Sequence, residues 1–408
     1  LLITKKIFQS FSHKIKSVAE WLVQNMYKLV FRLCGLFPAD QKLVVFESFF
    51  GRQYSCNPRA IYEYMKVHCP EYKLVWSSVP ASEKIFDAHQ VPHIRRYSLK
   101  WILLMCRAGF WVTNIRFPSW FHKPGHTVYL QTWHGTPLKK LALDTEEYFM
   151  DGMGIKQYKD NFAKDAGTWD YLVSPNRYSS EIFTRAFGFH RTMIESGYPR
   201  NDFLYNANNG ETIEKLKESC GIPKNKKVIL YAPTWRDDQY YGRGRYKFDL
   251  DLDLHLMQAA LGEDYIVMIR MHYLVADHLD LSSFAGFAYD FSRYEDIREL
   301  YLIADLLITD YSSVFFDYAN LKRPMIFFAH DIEDYRDHLR GFYFDFEKSA
   351  PGPLVRTTDQ VIQAIRKLEA SDFAVSGSFE AFFQKFCALE GGHSSEKVVK
   401  SVFKKIKL

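Results

Sequence analysis

The stretch that decides the reading of this chain is TVYLQTWHGTPLKKL, Thr127–Leu141. It opens as an apolar, β-rich run ending at Trp133, breaks at His134-Gly135 and resumes at Thr136-Pro137. Threonine is a good helix N-cap. Proline fits the first helical position, because the N–H it lacks would be unpaired there. The pattern therefore predicts strand, break, helix, with an imidazole between a strand's carboxyl end and a helix's amino end. Ligands of open α/β sheets settle in that crevice. Histidine is the commonest general base, so His134 is the first candidate catalytic residue. Lys139 and Lys140 fall in the first turn of the expected helix, where the dipole disfavours cations. Two readings stand for them: a bound anion nearby, or side chains turned to water.

Strands and helices alternate on both sides of this stretch. Strands are predicted at Leu43–Phe46, Lys73–Trp76, Phe110–Thr113, Val128–Thr132, Tyr171–Val173 and Met193–Glu195. Helices such as Arg59–Val67, Leu99–Arg107 and Ser179–Phe187 lie between them. Such alternation implies a parallel sheet covered by helices on both faces. Gly51-Arg52, with Ser55 and Asn57, forms a loop at the first strand's carboxyl end, placed to line a site but of ordinary composition. Gly197–Asp202 and the polar run 206–210 interrupt the pattern, which then repeats. Its second set of strands is Val228–Tyr231, Tyr265–Arg270, Leu306–Thr309 and Met325–Phe328. Helices are expected at Leu254–Leu261, Asp296–Ala304, Ser313–Leu321 and Gln360–Leu368, and residues 378–403 are helical in pattern. The expected fold is α/β, two doubly wound domains facing a cleft. The divisions are 1–39, 40–205, 206–375 and 376–408, the last packing back across both domains.

With 408 residues, 47% of them hydrophobic, the chain has room for two or three domains. Its cysteines, at 34, 56, 69, 106, 220 and 387, show no metal-ligand spacing and suit free thiols. No apolar run is long enough to span a bilayer. The net charge of +5 sits entirely in residues 1–39, where Lys5, Lys6, Lys14, Lys16, Lys28 and Arg32 face only Glu20. That distribution argues against a nucleic-acid surface built across the protein. Ile7, Phe8, Phe11, Ile15, Val18 and Leu22 recur at helical spacing. A basic amphipathic helix of this kind suits an anionic leaflet, and a helical hairpin docked on the domain is the alternative. No signal-peptide pattern is present. The chain begins at Leu1 rather than Met, as a piece of a longer protein would.

Three strand ends in the second half carry polar clusters. In Tyr231-Ala-Pro233-Thr234-Trp-Arg236, the Arg236 guanidinium suits phosphate oxygens or the adjacent Asp237 and Asp238. Arg270 and His272 sit two apart on a strand and share a face. They either share an anion or line a domain seam. Thr309-Asp-Tyr-Ser312-Ser313 leads into a helix whose amino end favours negative charge. Asp317 lies one turn on, where it would repel phosphate, so hydroxyls or a histidine are its expected partners. Asp249, Asp251 and Asp253 form a weak metal signal, read as a solvated edge.

At these residues the chain resembles a known family. The segments are Trp133–Lys139, Tyr231–Arg236, Arg270–His272, Thr309–Ser313 with Asp317, Arg340–Asp345 and Ala350–Pro353. As a set they are similar to the CDP-glycerol glycerophosphotransferases, the teichoic acid primases and polymerases of Gram-positive bacteria. The resemblance implies a GT-B-like pair of Rossmann domains and a monotopic enzyme on the cytoplasmic face of the cell membrane, anchored by residues 1–39. It implies transfer of glycerol phosphate from CDP-glycerol to a terminal hydroxyl of a lipid-linked teichoic acid acceptor, with release of CMP. His134 and His272 match the family's two essential histidines. Arg200, Pro233, Thr234, Arg270, Met271, Ser312, Ser313 and Asp317 match its donor-binding positions. Trp133, Gly135, Thr136, Pro137 and Arg236 flank these motifs and complete the candidate donor site. No cofactor or protein-bound metal is expected, and a magnesium ion carried by the donor stays open. The alternatives are a CDP-ribitol-using relative and a GT-B glycosyltransferase using a nucleotide sugar.

Overall fold

The computed structural model describes residues 23–118, 121–146, 154–234, 240–242, 245–246, 250–271, 279–336 and 341–403. Two parallel sheets organise them. The first contains β1 Asp40–Glu47, β2 Lys73–Ser78, β3 His93–Arg95, β4 Ala108–Thr113, β5 Val128–Gln131, β6 Tyr171–Ser174 and β7 Thr192–Glu195. Its order is β3-β2-β1-β4-β5-β6-β7. The second sheet begins with β8 Lys227–Tyr231. After it, β9 Tyr240–Gly242 and β10 Arg245–Tyr246 pair as a separate antiparallel ribbon. The second sheet continues with β11 Tyr265–Ile269, β12 Ala288–Asp290, β13 Leu306–Thr309, β14 Met325–Phe328 and β15 Leu354–Val355. Its order is β12-β11-β8-β13-β14-β15. Both orders therefore reverse beside their first strand, at β1/β4 and at β8/β13, and a crevice opens at the strands' carboxyl ends.

Burial explains which runs became strands. All residues of β4, β11, β13 and β14 are buried, the signature of parallel strands covered on both faces. The ten strands expected from sequence all lie within these sheets. β3, β12 and β15 were not anticipated, because edge strands of two or three residues are too short to show a period.

Residues 23–34 form a helix docked on the first domain. Phe31 is buried there, with ring centroids 4.4 Å from Phe121 and 6.4 Å from Trp101. Met26, Leu29 and Leu33 on the same helix are exposed. The anchor positions 1–22 lie outside the described residues. At the other end, the helix Gly377–Phe386 buries Phe379, Phe382 and Phe386 in the core of the second domain. The next helix, Ser394–Val402, buries Val398, Val399 and Val402 in the core of the first. The Asp202 carboxylate accepts the Ser394 and Ser395 N–H groups at 2.8 and 2.7 Å, fixing where that helix starts. Gly197 sits at φ +82°, and a Cβ there would come within 2.6 Å of Ser394 Oγ, so only glycine fits.

Candidate active site

The site begins where β5 stops. Trp133 has φ +51°, a left-handed conformation that costs a bulky residue about 1–3 kcal/mol. Neighbours hold it there. Asn57 Nδ2 donates to the carbonyls of Thr132 and Trp133 at 3.2 and 3.1 Å, and the Trp133 N–H donates to Gln131 Oε1 at 3.0 Å. The kink ends the strand and turns His134 into the crevice.

The helix expected from Thr136-Pro137 does not form, and Lys139 and Lys140 lie in no helical first turn. The segment crosses to the second domain instead. Leu138 is buried in that domain's core. The Tyr343 N–H donates to the Leu138 carbonyl at 2.8 Å, and the Lys140 N–H to the Gly341 carbonyl at 3.2 Å. Burying a leucine is worth about 1.5–3 kcal/mol, against about 1 kcal/mol for an N-cap, so tertiary contact overrides the local signal. Pro137 offers its carbonyl to the Tyr178 hydroxyl at 2.8 Å. Lys139 Nζ lies 4.8 Å from the Tyr335 ring centroid, and Lys140 pairs with Glu146.

His134 Nδ1 lies 2.6 Å from the Asn114 carbonyl oxygen. A carbonyl only accepts, so Nδ1 carries the proton and Nε2 presents a lone pair. The ring stacks on Trp133 at 4.5 Å, with Phe49 edge-on at 5.7 Å. Burial pushes the imidazole pKa down to about 4, the Asn114 hydrogen bond opposes the shift, and nearby Arg200 adds to it. His134 is therefore neutral at pH 7, the form a general base needs. Asn114 is itself fixed. Its Oδ1 accepts the Phe49 N–H at 3.0 Å and its Nδ2 donates to Ser48 Oγ at 3.1 Å. Asn114 was not singled out from sequence as a site residue, and Asn57 only as part of a loop that could line one. Their roles are set by partners more than 60 residues away.

The second domain supplies the facing wall. A Cβ at Gly135 would lie 3.1 Å from Ser313 Oγ, so the residue after the candidate base touches the serine pair directly. Ser313 stands at the N-cap of the short helix Val314–Tyr318 without using its side chain to cap it. Thr234 N–H donates to Asp310 Oδ1 at 2.8 Å, tying the ends of β8 and β13 together at the switch point. Pro233 and Thr234 are half-buried there. Arg270 Nη1 donates to the carbonyls of Phe291 and Tyr294 at 2.8 and 2.6 Å, so this guanidinium straps its own domain. Met271 is buried, its N–H bonded to Ser292 Oγ at 3.1 Å. His272 and Arg236 lie outside the described residues, as does Arg340.

Beneath His134, Arg200 and Asp317 meet across the seam. Arg200 Nε and Nη2 donate to the carboxylate at 2.8 to 3.1 Å, and each residue is only 6% exposed. This corrects the expectation that Asp317 would pair with hydroxyls or a histidine. A bidentate arginine offsets the desolvation of a buried carboxylate as no hydroxyl could. Burial opposes the Arg200 charge, but Asp317 overcompensates and holds its pKa well above the ordinary arginine value. Arg200 also reaches Cys56 Sγ at 3.3 Å, and its N–H donates to Asn57 Oδ1 at 3.1 Å. The same Asn57 therefore holds both the Trp133 kink and the Arg200 backbone. Among the described residues, no group of three His, Cys, Asp or Glu side chains is placed to hold a metal.

With the geometry in place, comparison with known proteins is informative. Residues 27–404 match the CDP-Glycerol:Poly(glycerophosphate) glycerophosphotransferase family. The chain is 62% identical over 400 residues to the teichoic acid poly(glycerol phosphate) polymerase of Bacillus subtilis, covering 98% of this chain but 54% of that one. It thus spans about half the length of that relative. The polymerase of the same name from Bacillus spizizenii is 54% identical, over 93% of this chain and 97% of the relative. The solved structure of the wall teichoic acid polymerase TagF is 39% identical, with a TM-score of 0.85 over 95% of this chain and 96% of that chain. A histidine variant of TagF soaked with CDPG aligns over 97% of this chain and 98% of its own, also at 39% identity and a TM-score of 0.85.

Two outcomes follow from the seam. Asp317→Asn leaves Arg200 buried without its counter-charge and should cost about 3–5 kcal/mol of stability in urea unfolding. In a rate profile, the low pKa of His134 puts the acid limb of kcat/KM at about pH 4, below the ordinary histidine value of 6.5. A limb at the ordinary value would contradict the buried, neutral imidazole.

Proposed function

The chain belongs to the CDP-glycerol:poly(glycerophosphate) glycerophosphotransferase family, and on that premise we propose that it transfers glycerol phosphate from CDP-glycerol to the terminal hydroxyl of a lipid-linked teichoic acid acceptor. The observation that carries this reading is His134. Its Nδ1 is anchored, its Nε2 has no hydrogen-bond partner among the described residues, and its neighbour Gly135 lies against Ser313 of the opposite domain. We read the two facing domains as a GT-B-like arrangement. In the proposed step the acceptor oxygen attacks the glycerol-linked phosphorus, its proton passes to His134 Nε2, and the bond to the bridging oxygen breaks as CMP leaves. Such transfer depends on positioning and on charge neutralisation at the phosphates. The N–H groups and hydroxyls of Ser312 and Ser313 are the described groups placed to meet that charge. His272 and Arg236 are carried over from the family resemblance alone. The reading asks for no resident metal, and magnesium bound to the donor is compatible with it.

Glycerol is favoured over ribitol as the polyol. The teichoic acid poly(ribitol-phosphate) polymerase of B. spizizenii is 38% identical over 276 residues, against 54% over 383 for that species' glycerol phosphate polymerase. Asp317, the carboxylate a nucleotide-sugar reading would enlist to read hydroxyls, is committed to Arg200. The proposed location is the cytoplasmic face of the cell membrane. Supporting it, the helix of residues 23–34 turns Met26, Leu29 and Leu33 outward, with Leu36 and Phe37 exposed beyond it. Lys28 and Arg32 lie on the same segment, and each basic residue near an anionic surface adds about 1 kcal/mol.

His134→Ala should lower kcat for CMP release from CDP-glycerol by about 10²–10⁴-fold. Near-normal turnover in that variant, or preference for CDP-ribitol or a UDP-sugar, overturns the assignment. In vesicle co-sedimentation the chain should pellet with anionic but not with neutral liposomes. Replacement of Leu29 and Leu33 by Asp should abolish pelleting.

A further inference from the structure

Outside the seam, the loop that leaves β4 leads from the base-orienting Asn114 to an arginine. Asn114 aims its carbonyl at His134 Nδ1. The next carbonyl, of Ile115, is pinned by Thr113 Oγ1 at 2.8 Å and Gln131 Nε2 at 3.0 Å. The backbone that delivers residue 116 is therefore as rigid as the one that orients the base. Arg116 is half-buried, its guanidinium 4.3 Å from the Phe162 ring centroid and 5.6 Å from that of Tyr158. Among the described residues it takes part in no hydrogen bond and no ion pair. A guanidinium stacked on a ring keeps its face covered and its planar edge of donors available, which is the geometry that receives phosphate oxygens. Its acidic neighbour Asp165 feels the Arg116 charge, which opposes the effect of burial on the carboxyl, but makes no ion pair with it. Asp165 accepts the Trp169 indole N–H at 3.2 Å, and burial pushes its carboxyl up to about 7.

The arginine is also connected to the candidate base. Phe162 packs edge-on to Trp133 at 6.3 Å, and Trp133 stacks on His134 at 4.5 Å. At 3.8 Å per residue, the Cα atoms of Asn114 and Arg116 lie within about 7 Å of each other. The other arginines described at the seam are committed: Arg200 to Asp317, Arg298 to Asp296, and Arg59 to Glu63 and Asp296. Arg116 is a guanidinium of the first domain with no hydrogen-bond or ion-pair partner among the described residues, two positions from the carbonyl that orients the base.

We infer that Arg116 binds the phosphodiester of the acceptor's terminal polyol phosphate unit, while His134 takes the proton of that unit's hydroxyl. The inference rests on the glycerophosphotransferase reading and extends it to the acceptor. In a glycerol phosphate terminus three carbons separate the attacking hydroxyl from the preceding phosphodiester. An anion contact two residues beyond the one that aims the base matches that spacing. Arg116 is thus an acceptor-specificity residue, and it favours an acceptor that already carries glycerol phosphate.

The test is steady-state CMP release by the full chain with CDP-glycerol and two acceptors, a lipid-linked disaccharide bearing one glycerol phosphate and the bare lipid-linked disaccharide. Arg116→Gln should raise KM for the primed acceptor about 10-fold or more, the loss expected for a charge-assisted contact. The CDP-glycerol KM and kcat should hold, and any turnover of the bare disaccharide should be unaffected. Arg116→Lys should recover part of the loss, and thermal unfolding should show both variants folded. An unchanged KM for the primed acceptor overturns the inference, as does a parallel rise in the donor KM. So does a wild-type chain that uses only the bare disaccharide. A wild-type chain that releases no CMP with either acceptor instead overturns the functional reading beneath it.

Discussion

The buried ion pair between Arg200 and Asp317 is the constraint on which the site depends. Two charges withdrawn from water cost several kcal/mol each, and only close, multidentate contact offsets that cost. Here the contact spans two domains. Asp317 stands on the helix that follows Ser313, and Arg200 is tied by its backbone to Asn57, which also holds the Trp133 kink. One pair therefore places the imidazole of the first domain relative to the serine pair of the second. Gly135 permits the approach, with space beside Ser313 for a hydrogen but not a methyl group without displacement. A second brace lies on the same seam, where Arg59 reaches Asp296, itself held bidentately by Arg298. Burial raises the Asp296 carboxyl's proton affinity, yet these arginines win and hold its pKa at about 2.

How much of this could be read from the chain follows from the range of each interaction. The parallel sheets were legible because buried β-rich runs such as Val228–Tyr231 and Leu306–Thr309 carry their burial in their own composition. The order of those strands within each sheet was not, since pairing is decided between segments far apart. Thr136-Pro137 shows the opposite case. Its helix-start chemistry is sound locally, yet Leu138 found a core in the other domain and the backbone bonded to residues 341 and 343. His134 was visible as a polar residue at a strand end. Asn114 was not, and Asn57 was only one polar residue of a loop that could line the site, because an asparagine announces nothing until its partners are known. Asp317 and Arg200 were each marked, by the family resemblance, as donor-binding positions. That their charges answer one another is a tertiary fact, absent from either motif.

The chemistry proposed for the site follows from how that frame treats the imidazole. Burial and the Arg200 charge both disfavour protonation, so His134 is by itself a weak base with its lone pair available. A donor diphosphate bound beside His134 would bring negative charge to the Nε2 side of the imidazole. Negative charge nearby stabilises the protonated ring and strengthens the base. The Asn114 carbonyl acts in the same sense, since it accepts the Nδ1–H and favours the imidazolium that proton transfer creates. The base would thus gain strength as donor arrives and lose it as CMP departs. A free imidazole of ordinary pKa would remain partly protonated near neutrality whether or not the donor was present. The buried one avoids that loss, chiefly through its burial, and the arginine that holds the two domains in register adds to the effect.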